Sequence, residues 1–206
     1  MKKKSKTNVN RRHFLKSSGK VAAASAVLSQ LPIERVAHAA VSDTISVALV
    51  GCGGRGSGAV SQIRNTKGNT KLVAVADVNA KKAKDRVDGF RKQFNDWVDV
   101  PEDRVFGGLD GYKAAIDSGA DLVVIATPPA FKPQQFEYAV KAGKHIFCEK
   151  PVASDAPGVR RVLAATQEAK KKNLMVGIGL QRRHEERYID NINRLHDGVI
   201  GDINLM

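Results

Sequence analysis

The chain has 206 residues, 42% hydrophobic and 27% charged, a balance that fits a globular protein of one domain, or one and part of another, and excludes a disordered chain. A formal net charge of +13 would suit a nucleic-acid binder, but residues 1–39 hold nine Lys/Arg against one Glu, so most of the excess is a leader and not a binding face. The two cysteines, Cys52 and Cys148, have no Cys-x-x-Cys or Cys/His cluster beside them, so no metal is expected and packed free thiols are.

Taken in chain order, the leader comes first. MKKKSKTNVNRRHFLKSSGK is basic, and VAAASAVLSQL (21–31) is apolar but shorter than the roughly 20 residues a bilayer span needs. Ala37-His38-Ala39 offers an A-x-A cleavage site. NRRHFLK (10–16), with paired Arg11 and Arg12, resembles a twin-arginine signal, although Asn10 stands where Ser or Thr is usual. The expectation is export through the Tat translocase, cleavage near Ala39, a periplasmic or otherwise exported location, and no stable membrane anchor.

TISVALV (44–50) reads as a first strand, 57–66 as a helix ended by Gly68-Asn69, and KLVAVAD (71–77) as a second buried strand. Ala83, Val87, Phe90 and Phe94 recur at helical spacing, with Lys81, Lys82, Lys84 and Arg86 as a solvated face. A short strand at 104–106 precedes a helix near 110–118. DLVVIAT (121–127) is a strand, and Pro128, Pro129 and Pro133 force a loop and a helix start, with Gly143 as its stop. KHIFC (144–148) is a strand. Asp155 caps a helix through about 172 with Val159, Val162, Leu163 and Thr166 on one face. LMVGIGL (174–180) is the last clear strand, and 183–197 is again helical in pattern. His145 reads as a strand-side packing residue and His196 as a surface residue. Continuously apolar strands alternating with helices predict an α/β fold with an open, doubly wound parallel sheet.

GCGGRGSG (51–58) follows the first strand and opens a helix. Gly51, Gly53 and Gly56 satisfy G-x-G-x-x-G, which alone is weak. Gly51 would permit the tight turn, Gly53 the approach of a pyrophosphate, and Gly56 close helix–strand packing. The free amides and positive dipole end of the helix suit an anion. Asp77 ends the second strand 21 residues after Gly56, where a carboxylate can bind both ribose hydroxyls of NAD and repel a 2′-phosphate. The Rossmann dinucleotide site expected here comprises Gly51, Cys52, Gly53, Gly54, Arg55, Gly56 and Asp77. NAD is favoured, and NADP stays open because Arg55, Lys81 and Lys82 could offset phosphate charge.

CEKPVA (148–153) lies at the end of the fifth predicted strand. With VGCGGRG (50–56), VADVNA (75–80) and AGKHIFCEKP (142–151), it resembles the glucose–fructose oxidoreductase/inositol dehydrogenase (Gfo/Idh/MocA) family over nearly all of 43–206. The resemblance implies that Lys150 is catalytic, beside the nicotinamide and the hydroxyl being oxidised. It implies that Glu149 and Pro151 hold the turn, Pro151 through a cis bond. Thr127-Pro128 resembles the family's Thr-Pro-Asn-x-x-His loop under the nicotinamide, with Pro129 in place of Asn and Lys132 in place of His. Thr127, Pro128, Glu149 and Lys150 therefore join the cofactor-binding set. Arg183, His184 and Tyr188, in GLQRRHEERY (179–188), are candidate substrate contacts.

The expected organisation is a leader (1–39), a Rossmann domain (40–180), and a linker helix with the first strand of a truncated second α/β domain (181–206). The resemblance places the family's catalytic histidine and oligomer interface in that second domain, so these residues are expected to bind cofactor without a complete active site, and a full-length homo-oligomer is expected. The function implied is oxidation of a sugar or polyol hydroxyl with a tightly bound, internally recycled cofactor. The alternatives are a redox-neutral, NAD-dependent glycosidase and a non-catalytic dinucleotide-binding fragment.

Overall fold

Six parallel strands form one sheet in the computed structural model, which describes residues 43–202; the unit beginning at Thr44 carries everything below. The strands are β1 (Ile45–Val50), β2 (Thr70–Asp77), β3 (Val105–Gly107), β4 (Leu122–Ile125), β5 (His145–Cys148) and β6 (Val176–Ile178). Their order is β3-β2-β1-β4-β5-β6, with every neighbouring pair parallel. The helices are α1 (Gly54–Arg64), α2 (Ala80–Phe94), α3 (Gly111–Asp117), α4 (Lys132–Lys141), α5 (Ala156–Lys171) and α6 (Glu186–His196). This is the doubly wound α/β sheet that the strand–helix alternation predicts. The order reverses between β1 and β4, and that switch point opens a crevice at the carboxyl edge.

The strands are apolar throughout because both faces are covered. On one face Val47, Leu49, Leu72, Val75 and Val124 pack with Ala59 and Val60 of α1 and Val87 and Phe90 of α2. On the other, Ala48, Val50, Val123, Ile125 and Ile146 pack with Ile116 of α3, Phe136 of α4 and Val162 of α5. Each fully buried Leu, Ile or Phe contributes about 2–3 kcal/mol of apolar transfer energy.

Most element boundaries fall near their predicted places, with three corrections. α1 begins at Gly54, three residues earlier than read, because the glycine loop itself supplies the first helical turn. Asp155 does cap α5, accepting from the Gly158 amide at 2.7 Å. Its buried face, however, is Gly158, Val162, Ala165 and Ala169, while Val159 and Leu163 face outward: small residues let α5 lie close to α4, and the larger side chains are displaced from the seam. The 183–197 stretch divides into a 3₁₀ turn (Gln181–His184) and α6, whose described side chains are all unburied. Among the described residues no helix is long and apolar enough to cross a membrane. The leader and the segment read as a new strand after Gly201 lie outside the described residues, apart from Asp202.

α1 contains two glycines with opposite surroundings. A Cβ on Gly56 would lie 2.1 Å from the Gly51 carbonyl oxygen and 3.1 Å from Ala126 Cβ, whereas one on Gly58 meets nothing within 4 Å. Gly56→Ala should therefore destabilise the chain by about 3 kcal/mol through overpacking against backbone. Gly58→Ala should stabilise it by roughly 0.5–1 kcal/mol through helix propensity. Urea unfolding of the two variants beside the parent checks the opposite signs; a loss of stability in both would refute the packing argument.

Candidate functional site

Backbone bonds bring four loops into register at the carboxyl edge. The Gly51 amide donates to the Ala76 carbonyl (2.8 Å), Ala126 to Val50 (2.8 Å), Glu149 to Ile125 (2.9 Å) and Gly179 to Cys148 (2.9 Å). The glycine loop, the Thr127-Pro128 loop, the Glu149-Lys150-Pro151 turn and the segment after β6 therefore share one rim.

Gly51 has φ +99°, and a Cβ there would come within 2.8 Å of the Ala126 carbonyl carbon, so only glycine makes this turn beside β4. Gly53 and Gly54 face open space, with nothing within 4 Å of an added Cβ. The first bond at the α1 terminus joins the Ser57 amide to the Gly53 carbonyl (3.0 Å), so the preceding amides have no partner within the helix. A cavity of about 420 Å³ lies over this terminus, lined by Gly51, Gly53, Asp77 and Lys82 on one side and Thr127, Pro128, Phe131 and Gln135 on the other. Bare backbone, unpaired amides and positive dipole character fit a dinucleotide pyrophosphate.

Asp77 does more than the sequence shows. One carboxylate oxygen accepts the Cys52 amide at 2.8 Å and the other the Asn79 amide at 3.1 Å, which ties the glycine loop to the start of α2. Lys82, read as part of a solvated face, lies 3.4 Å from Asp77 and lines the cavity. Lys81 instead pairs with Asp85 at 2.7 Å, pointing its charge along the helix. Cys52 gives its amide to Asp77 and its side chain to the core, so it supports the loop from below.

Arg55 reaches across the rim. Its guanidinium is 2.7 Å from Glu149 Oε1, close enough for an ion pair though not aligned as a hydrogen bond. Arg55 is half-exposed and the Glu149 carboxylate is buried. Gly179 makes room for that carboxylate, since a Cβ there would come within 2.6 Å of it. The Lys150–Pro151 bond is cis, and Lys150 is exposed on the rim.

Beneath the turn is a residue to which the sequence assigned no task. Lys132 is 2% exposed, and its ammonium donates to the Glu149 carbonyl at 2.6 Å and the Pro151 carbonyl at 2.9 Å. Burial pushes its pKa below the ordinary lysine value, opposed by nearby Cys148 and Glu149. Gln135, Phe131, Leu109 and Tyr112 also line the site region without having been singled out, and the Thr127 hydroxyl donates to Gln135 Oε1 at 2.5 Å. Phe131 and Gln135 follow the Thr127-Pro128 loop at one-turn spacing, a signal that could have found them. Nothing in sequence marks a buried lysine.

Arg183, His184 and Tyr188 sit apart from this cavity's lining, on the 3₁₀ turn and α6. Tyr188 stacks under Arg182, whose guanidinium carbon is 5.1 Å from the ring centre. His145 caps β6 from β5, its Nδ1 accepting the Met175 amide at 2.9 Å. Among the described residues no cluster of three or more His, Cys, Asp or Glu could hold a metal ion.

The family model described as "Oxidoreductase family, NAD-binding Rossmann fold" (GFO_IDH_MocA) matches residues 45–178, which contain every one of these loops up to β6. The chain belongs to this family. Inositol 2-dehydrogenase of Salmonella typhimurium is 30% identical over 161 residues, 77% of this chain and 43% of that protein. The crystal structure of scyllo-inositol dehydrogenase from Lactobacillus casei, with bound NAD(H) and scyllo-inositol, is 26% identical; the match covers 78% of this chain and 43% of that one, with a TM-score of 0.59. A 3-ketoreductase from Actinomadura kijaniata in complex with NADP shares the fold at 24% identity and a TM-score of 0.59, over 78% of this chain and 46% of that one. The chain spans less than half the length of these relatives. As a GFO_IDH_MocA member it carries an NAD-binding Rossmann domain.

Both thiols are free and buried. Burial, followed by the Asp77 charge, pushes Cys52 up from 9.0 to about 12, and burial pushes Cys148 from 9.0 to about 11. Neither is a thiolate at neutral pH, so neither serves as a nucleophile there. The folded chain should fail to react with a disulfide reagent at mildly alkaline pH, and both thiols should titrate after denaturation. Because the folded values are raised, the stability that keeps the thiols neutral is full below about pH 9 and falls as the pH climbs through the folded values. Rapid modification of either folded thiol would contradict the burial argument.

Proposed function

We propose that this chain is the cofactor-binding part of an NAD-dependent oxidoreductase that acts on a hydroxyl of a polyol or sugar. The observation that carries the reading is the shared rim: Lys150 stands on the turn after β5, one strand from the Thr127-Pro128 loop and two from the pyrophosphate cradle. The inositol dehydrogenase relatives support a polyol substrate.

The dinucleotide supplies hydride acceptance when bound. The α1 terminus and Gly53 hold its phosphates, Asp77 meets the adenosine ribose, and Thr127 and Pro128 form a wall of the cavity that receives it. Lys150 binds the substrate hydroxyl, orients its carbon and takes part in moving its proton. Arg183, His184 and Tyr188 remain candidate substrate contacts. We further read residues 181–206 as the passage into a second domain that completes the site, and the leader as a twin-arginine signal that exports the protein folded with its nucleotide aboard. A nucleotide carried out this way would stay bound and be recycled between substrates.

Lys150→Ala should leave NAD affinity within about threefold of the parent, since the lysine contributes little to uniform binding, and should lower turnover by at least about a hundredfold. Nucleotide titration by fluorescence and an absorbance assay with myo-inositol as probe substrate measure the two. Undiminished turnover would remove Lys150 from the reaction, and the absence of any nucleotide binding by the parent would sink the oxidoreductase reading.

Asp77 favours NAD over NADP by charge, although Lys82 opposes part of that charge. Asp77→Asn keeps an acceptor for one loop amide and removes the negative charge. The ratio of NADP to NAD affinity should rise by about tenfold, or ~1.4 kcal/mol. An unchanged ratio would show that Asp77 serves the loop alone.

A further inference from the structure

We propose that Lys132 is a positioning residue for Lys150, its buried ammonium gripping the peptide units on both sides of that lysine. The inference rests on the reading of Lys150 as the catalytic lysine.

The Glu149 carbonyl belongs to the residue before Lys150 and the Pro151 carbonyl to the residue after it, and a single ammonium bridges them at 2.6 and 2.9 Å. Burying an ammonium costs several kcal/mol unless it is hydrogen-bonded. A methionine would fill the same volume without that cost, so the charge is there for the carbonyls. Pro151 has no N–H to close the turn by itself. Apart from Lys132, the Glu149 carbonyl is met among the described residues only by the weak Cys148 thiol donor, at 3.6 Å. Glu149 is thus held at three points: its amide by β4, its carboxylate by Arg55 and its carbonyl by Lys132. The Lys150 side chain stays exposed on a turn whose backbone is fixed. Lys132 reaches the turn from the first residue of α4, directly after the Thr127–Phe131 loop that lines the cavity, so the cofactor wall and the lysine turn share one brace.

Two variants test the brace, Lys132→Met and Lys132→Ala, the second with ethylammonium or tetramethylammonium added. The first readout needs no substrate: acetylation of Lys150 by acetic anhydride, followed by peptide mass spectrometry on the folded chain. Its rate should change by at least about threefold in both variants, while exposed lysines of α5 keep theirs, because only the turn loses its hydrogen bonds. Ethylammonium, which has N–H donors, should restore the parental rate in Lys132→Ala; tetramethylammonium, which has charge but no donor, should not. On the active protein with NAD and myo-inositol, kcat should fall at least about tenfold with KM within about threefold, as for loss of an orienting contact. Parental labelling of Lys150 in both variants, or equal recovery with either ammonium, would overturn the proposal. So would loss of folding in both variants that ethylammonium does not reverse, since that assigns Lys132 to the core alone. Lys150→Ala is the control that separates the two readings: if it keeps parental turnover, the reading of Lys150 as the catalytic lysine fails, and the labelling arm still decides whether Lys132 holds the turn.

Discussion

The carboxyl edge of this sheet depends on a contact that contains no side chain. Gly56 of α1 lies so close to the Gly51 carbonyl that a single methyl group would overlap it. That approach lets the helix begin inside the loop, directly over the end of β1, and leaves its first amides without a partner within the helix. Gly51 makes the matching concession on the other side, turning with positive φ against the backbone of β4. The open helix terminus is therefore a consequence of how tightly a helix packs on two strands.

The charged groups around the cradle largely hold the frame. Asp77 fastens the glycine loop through the Cys52 amide and the next helix through the Asn79 amide. Glu149 receives Arg55 from α1, and Lys132 receives the carbonyls of the turn that bears Lys150. An unpaired charge at such depth would cost several kcal/mol, so each of these groups is stable only where its partner is already in place. The result is a rim in which the exposed Lys150 projects from a backbone restrained on several sides. Such restraint is what orientation at a reacting carbon requires, because an orienting contact is lost when the group it aims shifts by about 1 Å.

Membership of the GFO_IDH_MocA family accounts for the topology, and the solved relatives share that fold with modest sequence identity. Single residues brace the rim. Arg55 spans from the cradle to Glu149, Gly179 vacates the space that the carboxylate fills, and a lysine occupies the first position of α4.

Much of this protein was legible in its sequence. Apolar runs such as DLVVIAT revealed strands covered on both faces, because a strand buried twice has no polar alternation to show. The glycine spacing marked a tight strand-to-helix turn, because the backbone at Gly51 and Gly56 leaves no room for a Cβ. The sequence could not say that Val159 and Leu163 face outward on α5, since their spacing also suits a core face and only the closeness of α4 separates the two. Nor could it show that Lys82 turns to Asp77, that Arg55 crosses to Glu149, or that Lys132 lies buried under Pro151. Those pairings join residues 5, 94 and 19 positions apart, and long flexible side chains carry no periodic signal of their destination. The sequence by itself determined where backbone must be bare and where it must be apolar, because those are local requirements; the tertiary structure alone decided which charges meet, because that depends on distances between loops that only the closed sheet defines.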